Sequence, residues 1–183
     1  MNAAIFSRTN FRRAALASVV ALGAFGASNG FAAEASAPAS ATVIIPISIT
    51  NEEPLIFGSF TPVAGTVTVS TSGDRTTTGP ILSTVGDTPG AARFDVVGEG
   101  ASTYGITWSA DAPLTNTTGV GGETMALSKI SDLTGGGAIS GSVGAGTLNS
   151  GVQSIYLGGV LTVDAAQVPG AYEGSVTATV EYN

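Results

Sequence analysis

Apolar and polar residues alternate along most of the chain with a period of two. Across residues 42–50, Val43, Ile45, Ile47 and Ile49 fall on one face of an extended segment. The run 51–54 interrupts it, and Leu55-Ile56-Phe57-Gly58-Ser59-Phe60 follows. Residues 66–71 alternate Val67 and Val69 with Thr and Ser, and Ser72-Gly73-Asp74 reads as a turn. A short apolar run covers 81–85. Pro89-Gly90 then leads into 91–97, and Gly98-Glu99-Gly100 turns the chain into 104–109. There Tyr104, Ile106 and Trp108 share a face, which is expected to join the core.

The pattern is weaker in the middle. Met125, Leu127, Ile130 and Leu133 fit neither the helical nor the strand period, so residues 124–133 read as a strand or a short helix. Gly135-Gly136-Gly137 and the glycine-rich stretch 141–151 read as loop. Ile155, Leu157, Leu161 and Val163 mark a strand over 154–163. The closing segment has the clearest alternation. Tyr172, Gly174, Val176, Ala178, Val180 and Tyr182 take one face, and Glu173, Ser175, Thr177, Thr179 and Glu181 the other. One strand of ~36 Å is expected there, with one side on a core and the other on water. Short strands punctuated by turns predict an all-β fold, a two-sheet β-sandwich.

The N-terminus changes the picture. Arg8, Arg12 and Arg13 precede an uncharged apolar run over 14–25, and Gly30-Phe31-Ala32 offers small residues for a signal peptidase. Residues 1–32 are therefore expected to be a secretory signal peptide, too short in its apolar run to span a bilayer at ~20 residues. Residues 33–41 read as a short flexible segment and 42–183 as a single β-sandwich domain. The mature chain is expected to carry no stable membrane anchor and to reside in the periplasm, at the cell surface or outside the cell.

Removal of that segment leaves three basic residues, Arg75, Arg93 and Lys129, against 13 acidic ones, a net charge of −10. Such a surface repels phosphate backbones, so no nucleic-acid partner is expected. Zero Cys leaves no disulfide to staple the fold.

Composition also removes most catalytic chemistry. There is no His and no Cys, hence no imidazole base, no thiol nucleophile and no zinc set. Asp95 and Glu99 lie near one strand end as a candidate carboxylate pair, weighed against solvated charges beside a turn. Asp111, Asn116, Glu123 and Asp132 offer oxygen atoms for calcium, without the spacing of a dedicated loop. No catalytic, cofactor-binding or metal residue is assigned, and a non-enzyme without cofactor is expected.

Several short motifs occur in order: Ala41-Thr42-Val43-Ile44-Ile45-Pro46-Ile47-Ser48-Ile49, Leu55-Ile56-Phe57-Gly58, Gly65-Thr66-Val67-Thr68-Val69, and Phe94-Asp95-Val96-Val97-Gly98-Glu99-Gly100. Gly158-Gly159-Val160-Leu161-Thr162-Val163, Pro169-Gly170-Ala171-Tyr172-Glu173-Gly174 and the terminal Val180-Glu181-Tyr182-Asn183 complete the series. In these the chain resembles a bacterial exported family known only as a domain of unknown function. More distantly it resembles spore coat protein U domains and the subunits of chaperone–usher pili, through Leu55-x-Phe57-Gly58 and the C-terminal alternating strand.

The pilin resemblance implies an immunoglobulin-like or pilin-like sandwich that lacks a strand, which a neighbour supplies. Partners would be further copies of the chain or a periplasmic chaperone. The first strand, with Val43, Ile45, Ile47 and Ile49, then belongs either to its own domain or to a neighbour. Tyr172, Val176, Val180 and Tyr182 mark the strand beside the gap. The expected role is an exported structural or cell-surface subunit that assembles by β-strand addition. The alternatives are a secreted or surface module that binds carbohydrate or another ligand, and an eight-stranded outer-membrane barrel. The barrel is disfavoured because eight aromatics beyond the signal are too few for two girdles.

Overall fold

The computed structural model describes residues 32–118 and 122–183. The expected signal segment therefore lies almost wholly outside the described residues. Residues 32–41 are exposed and carry no regular structure. One compact unit spans Thr42–Asn183.

It contains strands and no helix among the described residues. The elements are β1 (Ser48–Glu53), β2 (Gly65–Val69), β3 (Arg75–Thr78), β4 (Ala92–Val97), β5 (Thr103–Trp108) and β6 (Leu114–Asn116). Then come β7 (Thr124–Met125), β8 (Leu127–Asp132), β9 (Ala145–Thr147), β10 (Val152–Val163), β11 (Tyr172–Glu173) and β12 (Ala178–Tyr182). Every pairing between these strands is antiparallel.

β10 organises the first layer. Its lower half pairs with β4 and its upper half with β2, while β8 pairs across the overlap of the two. Tyr156 faces both Arg93 and Asp132, and Gly159 faces both Val69 and Lys129. β4 and β2 therefore follow one another along one edge of β10, and β8 takes the other. β1 extends the sheet beyond β4, and β3 extends it beyond β2. Gly158 and Gly159 sit where β10 passes from β4 to β2. A Cβ at Gly158 would overlap the Val69 carbonyl, so only glycine allows that approach.

The second layer is two three-stranded sheets, β12-β5-β9 and β11-β6-β7. Both of its long runs break at the same level, between β5 and β6 and between β11 and β12. Ser109 and Thr177 stitch the break, with Ser109 N–H to Thr177 O at 2.8 Å and Thr177 N–H to Ser109 Oγ at 3.1 Å.

The core divides accordingly. Phe94, Val96, Tyr104, Ile106, Leu148, Ile155 and Leu157 fill the space under β12-β5-β9. Phe57, Val67, Val69, Met125, Leu127, Leu161 and Val163 fill the space under β11-β6-β7. Leu55 touches both halves. Trp108 packs edge-to-face on Phe94, with ring centroids 6.0 Å apart, and donates its indole N–H to Val143 O. Tyr104 is fully buried with its hydroxyl unpaired, and burial raises its pKa.

Four expectations need correction. Residues 42–47 do not join a strand, because β4 ends at Val97 opposite Ser48 and Gly98 turns away, which leaves upstream residues no ladder. Residues 51–53, read as an interruption, continue β1 through a bulge held by Asn51 Nδ2 on the carbonyls of Glu53 and Arg93. The run 124–133 is two strands split at Ala126. The closing segment is two short strands, not one, because the second layer breaks at Ser109 and Thr177.

Candidate functional site

Among the described residues β1 pairs only with β4, β11 only with β6 and β12 only with β5, just as β3, β7, β8 and β9 each pair with one strand. β1 and β12 approach each other without sharing a ladder. Below them the sandwich opens into a cleft of about 930 Å³. One wall is formed from residues 51–60 and the other from Gln167 to Val176, and core side chains such as Phe94, Leu157 and Leu161 form the floor. The seam therefore follows the N-terminal segment on one side and the C-terminal segment on the other.

Each wall has its own brace. Arg75 holds the first, donating from Nη1 to Phe57 O at 2.9 Å and Ser59 O at 3.2 Å, and from Nη2 to Ser83 O at 2.8 Å. Gly58 has a φ of 67°, and a Cβ there would strike the guanidinium. The Leu55-x-Phe57-Gly58 motif thus gains a physical reason: two apolar anchors for the core and a glycine around Arg75. On the second wall, Gln167 is buried and donates to Thr124 O and to the Tyr172 hydroxyl, which itself donates to Val168 O. This fixes the loop that carries Tyr172.

At the far end of the seam, the Tyr182 hydroxyl accepts the Glu99 N–H at 2.5 Å and donates to Ile45 O at 2.8 Å. The Glu99 carboxylate accepts the Ile45 N–H at 2.9 Å. A Cβ at Gly98 would overlap the Tyr182 hydroxyl, so glycine opens the room for it.

The predicted seam residues divide between buried and exposed. Ile47 and Ile49 are half-buried against the core, whereas Val43 is 97% and Ile45 55% exposed. Tyr172, Val176, Val180 and Tyr182 are all half-buried, and their alternate neighbours are exposed. Apart from Glu123, whose Oε2 is buried with no hydrogen-bond partner among the described residues, the candidate chemical groups are already engaged. Asp95 takes two bonds from Arg93 and one from Ser154, and Glu99 holds Ile45. Asp111 pairs with Lys129. Asn116 Oδ1 accepts the Thr118 N–H.

The Asp132 carboxylate accepts bonds from the Thr71 hydroxyl and from the N–H groups of Thr134, Gly135 and Gly136. Partial desolvation pushes its pKa up, but the Thr71 bond and the three N–H bonds outweigh it, and the net shift is down. Among the described residues no group of three His, Cys, Asp or Glu is placed to hold a metal ion. No helix among them is long and apolar enough to cross a membrane.

A family model described as "Domain of unknown function (DUF4402)" matches residues 47–182. The chain belongs to this family. The DUF4402 region opens at Ile47, one residue before β1, and closes on Tyr182, so it contains Glu99 and Tyr182 but stops short of Ile45. No match was found among curated proteins or among solved structures.

Sequence reading missed Arg75, Gln167 and the role of Glu99. Two of these had a signal. Gly58 after Leu55-x-Phe57 and Gly98 before Glu99 are both glycines that clear space for a polar side chain from elsewhere in the chain.

Proposed function

We propose that this DUF4402 chain is an exported, non-enzymatic subunit of a cell-surface or extracellular assembly, whose copies associate by β-strand addition along the open seam. The observation that carries this reading is the seam itself. Two one-sided edges, β1 at Asn51 and β11 at Tyr172 and Glu173, border an apolar-floored cleft of about 930 Å³. An unpaired edge is an aggregation hazard unless something covers it, and an added strand supplies both ladder bonds and side chains for the floor. Export is supported by the charge-then-apolar order of the first 32 residues. The resemblance to spore coat protein U and pilin domains points the same way. Strand addition from each copy to the next is a heterologous contact, and such contacts grow into filaments unless they close into a ring.

The test uses the exported protein. Intact mass should show loss of the segment ending near Ala32. Light scattering and electron microscopy across concentrations, with and without a coexpressed periplasmic chaperone, should show chains growing with concentration. A folded species that stays monomeric under all those conditions would rule out strand addition.

A further inference from the structure

The arm formed by residues 42–47 has little burial to hold it. Val43, Ile44 and Ile45 are 97%, 53% and 55% exposed. At Ile45, however, both backbone groups are engaged. The Glu99 carboxylate takes the N–H, and the Tyr182 hydroxyl gives its proton to the carbonyl. The direction of the second bond is fixed, because the Ile45 carbonyl can only accept, while the Tyr182 oxygen also accepts the Glu99 N–H at 2.5 Å.

One acceptor and one donor are thus set at the separation of the N–H and C=O of a single extended residue. The Ile45 side chain stays mostly in water, so the pair reads backbone and not side-chain identity. Gly98 makes the arrangement possible by admitting the hydroxyl.

We propose that Glu99 and Tyr182 form a backbone clamp for one extended residue, and that by holding Ile45 it keeps the arm closed on its own domain. The clamp regulates the seam described above, and in that respect it rests on the strand-addition reading: an arm must leave its own clamp before a neighbour can take it. A clamp that selects backbone alone makes the same bonds to the segment of a second copy, which then competes against the higher effective concentration of the tethered arm.

The experiment uses residues 33–183 and two variants, Tyr182→Phe, which keeps the ring and removes the hydroxyl, and Glu99→Ala. Glu181→Ala, on the exposed face beside Tyr182, is the control. Hydrogen exchange of a peptide covering residues 42–48 is read by mass spectrometry, and light scattering is recorded on the same samples. Loss of either clamp group should speed exchange of the Ile45 amide by about tenfold, the scale of one net hydrogen bond, with the control unchanged. Unchanged exchange in both variants overturns the clamp, whatever the scattering does. Faster exchange with strictly monomeric scattering keeps the clamp and removes strand addition as its purpose. Faster exchange with a larger assembled fraction supports both. If Tyr182→Phe fails to fold, Glu99→Ala alone decides the outcome.

Discussion

β10 and the closing segment 172–182 are both long, strand-forming stretches near the C-terminus, and the structure treats them oppositely. β10 is paired along both edges, runs unbroken through 12 residues and buries Ile155, Leu157, Leu161 and Val163. The closing segment pairs on one edge, breaks in two and buries no side chain fully. Strict alternation marked the second as the cleaner strand. It marks a strand with one face on a core and the other in water, and is silent about whether its edges are paired. The central strand instead shows dense apolar residues interrupted by two consecutive glycines, and its alternation is less regular.

The sharpest way to break this comparison is Gly158→Val. The new side chain would meet the Val69 carbonyl and Ser70 backbone, which cannot rotate aside. The loss should reach or exceed the top of the usual ~1–3 kcal/mol for overpacking, read as a collapse of the urea midpoint or failure to fold. If Gly158→Val melted like the parent, β10 would not be the paired spine described here.

A matched pair of truncations sharpens it further. Leu157→Ala should cost ~2–5 kcal/mol, as deletion of a fully buried leucine does. Val180→Ala should cost below ~1 kcal/mol, because that side chain is half in water and fully burying a valine is worth only ~1.5–3 kcal/mol. Equal losses in denaturant melts would erase the distinction between the strands.

The smallest effect concerns pH, at the end of the strand beside β10. The Asp132 pKa is lowered in the folded chain, so its contribution is fully present above the unfolded value near ~3.9 and lost as pH falls through the folded value. Asp132→Asn should therefore lower the urea midpoint at neutral pH, and the gap from the parent should narrow as the pH drops below about 4. A gap that stayed constant into strong acid would show that the carboxylate charge plays no part.

Much of the fold was legible because period-two burial is written directly into the chain. The positions of β2, β4, β5 and β10 follow from it within a residue or two. β3, β6 and β9 were not legible. Arg75–Thr78 is all polar, and Ala145–Thr147 lies within a glycine-rich stretch, so each is a strand only because a distant partner offers a ladder. The apolar run 81–85 errs the other way: Ile81 and Val85 lie in solvent, and only Leu82 packs against the core. The two sides of the seam were legible as first and last strands. The clamp was not, since Ile45, Glu99 and Tyr182 meet across separations of 54 and 137 residues that no local pattern encodes.

The position of β10 in the chain has a consequence for timing. Its partners β2, β4 and β8 all precede it, and it supplies side chains to both halves of the core. A chain that emerges N-terminus first can close neither half until β10 has appeared. Contacts this distant in sequence also form slowly. If the chain is exported as proposed, late placement of the keystone strand works as a delay, keeping the polypeptide slack while it travels and letting it set once it has arrived.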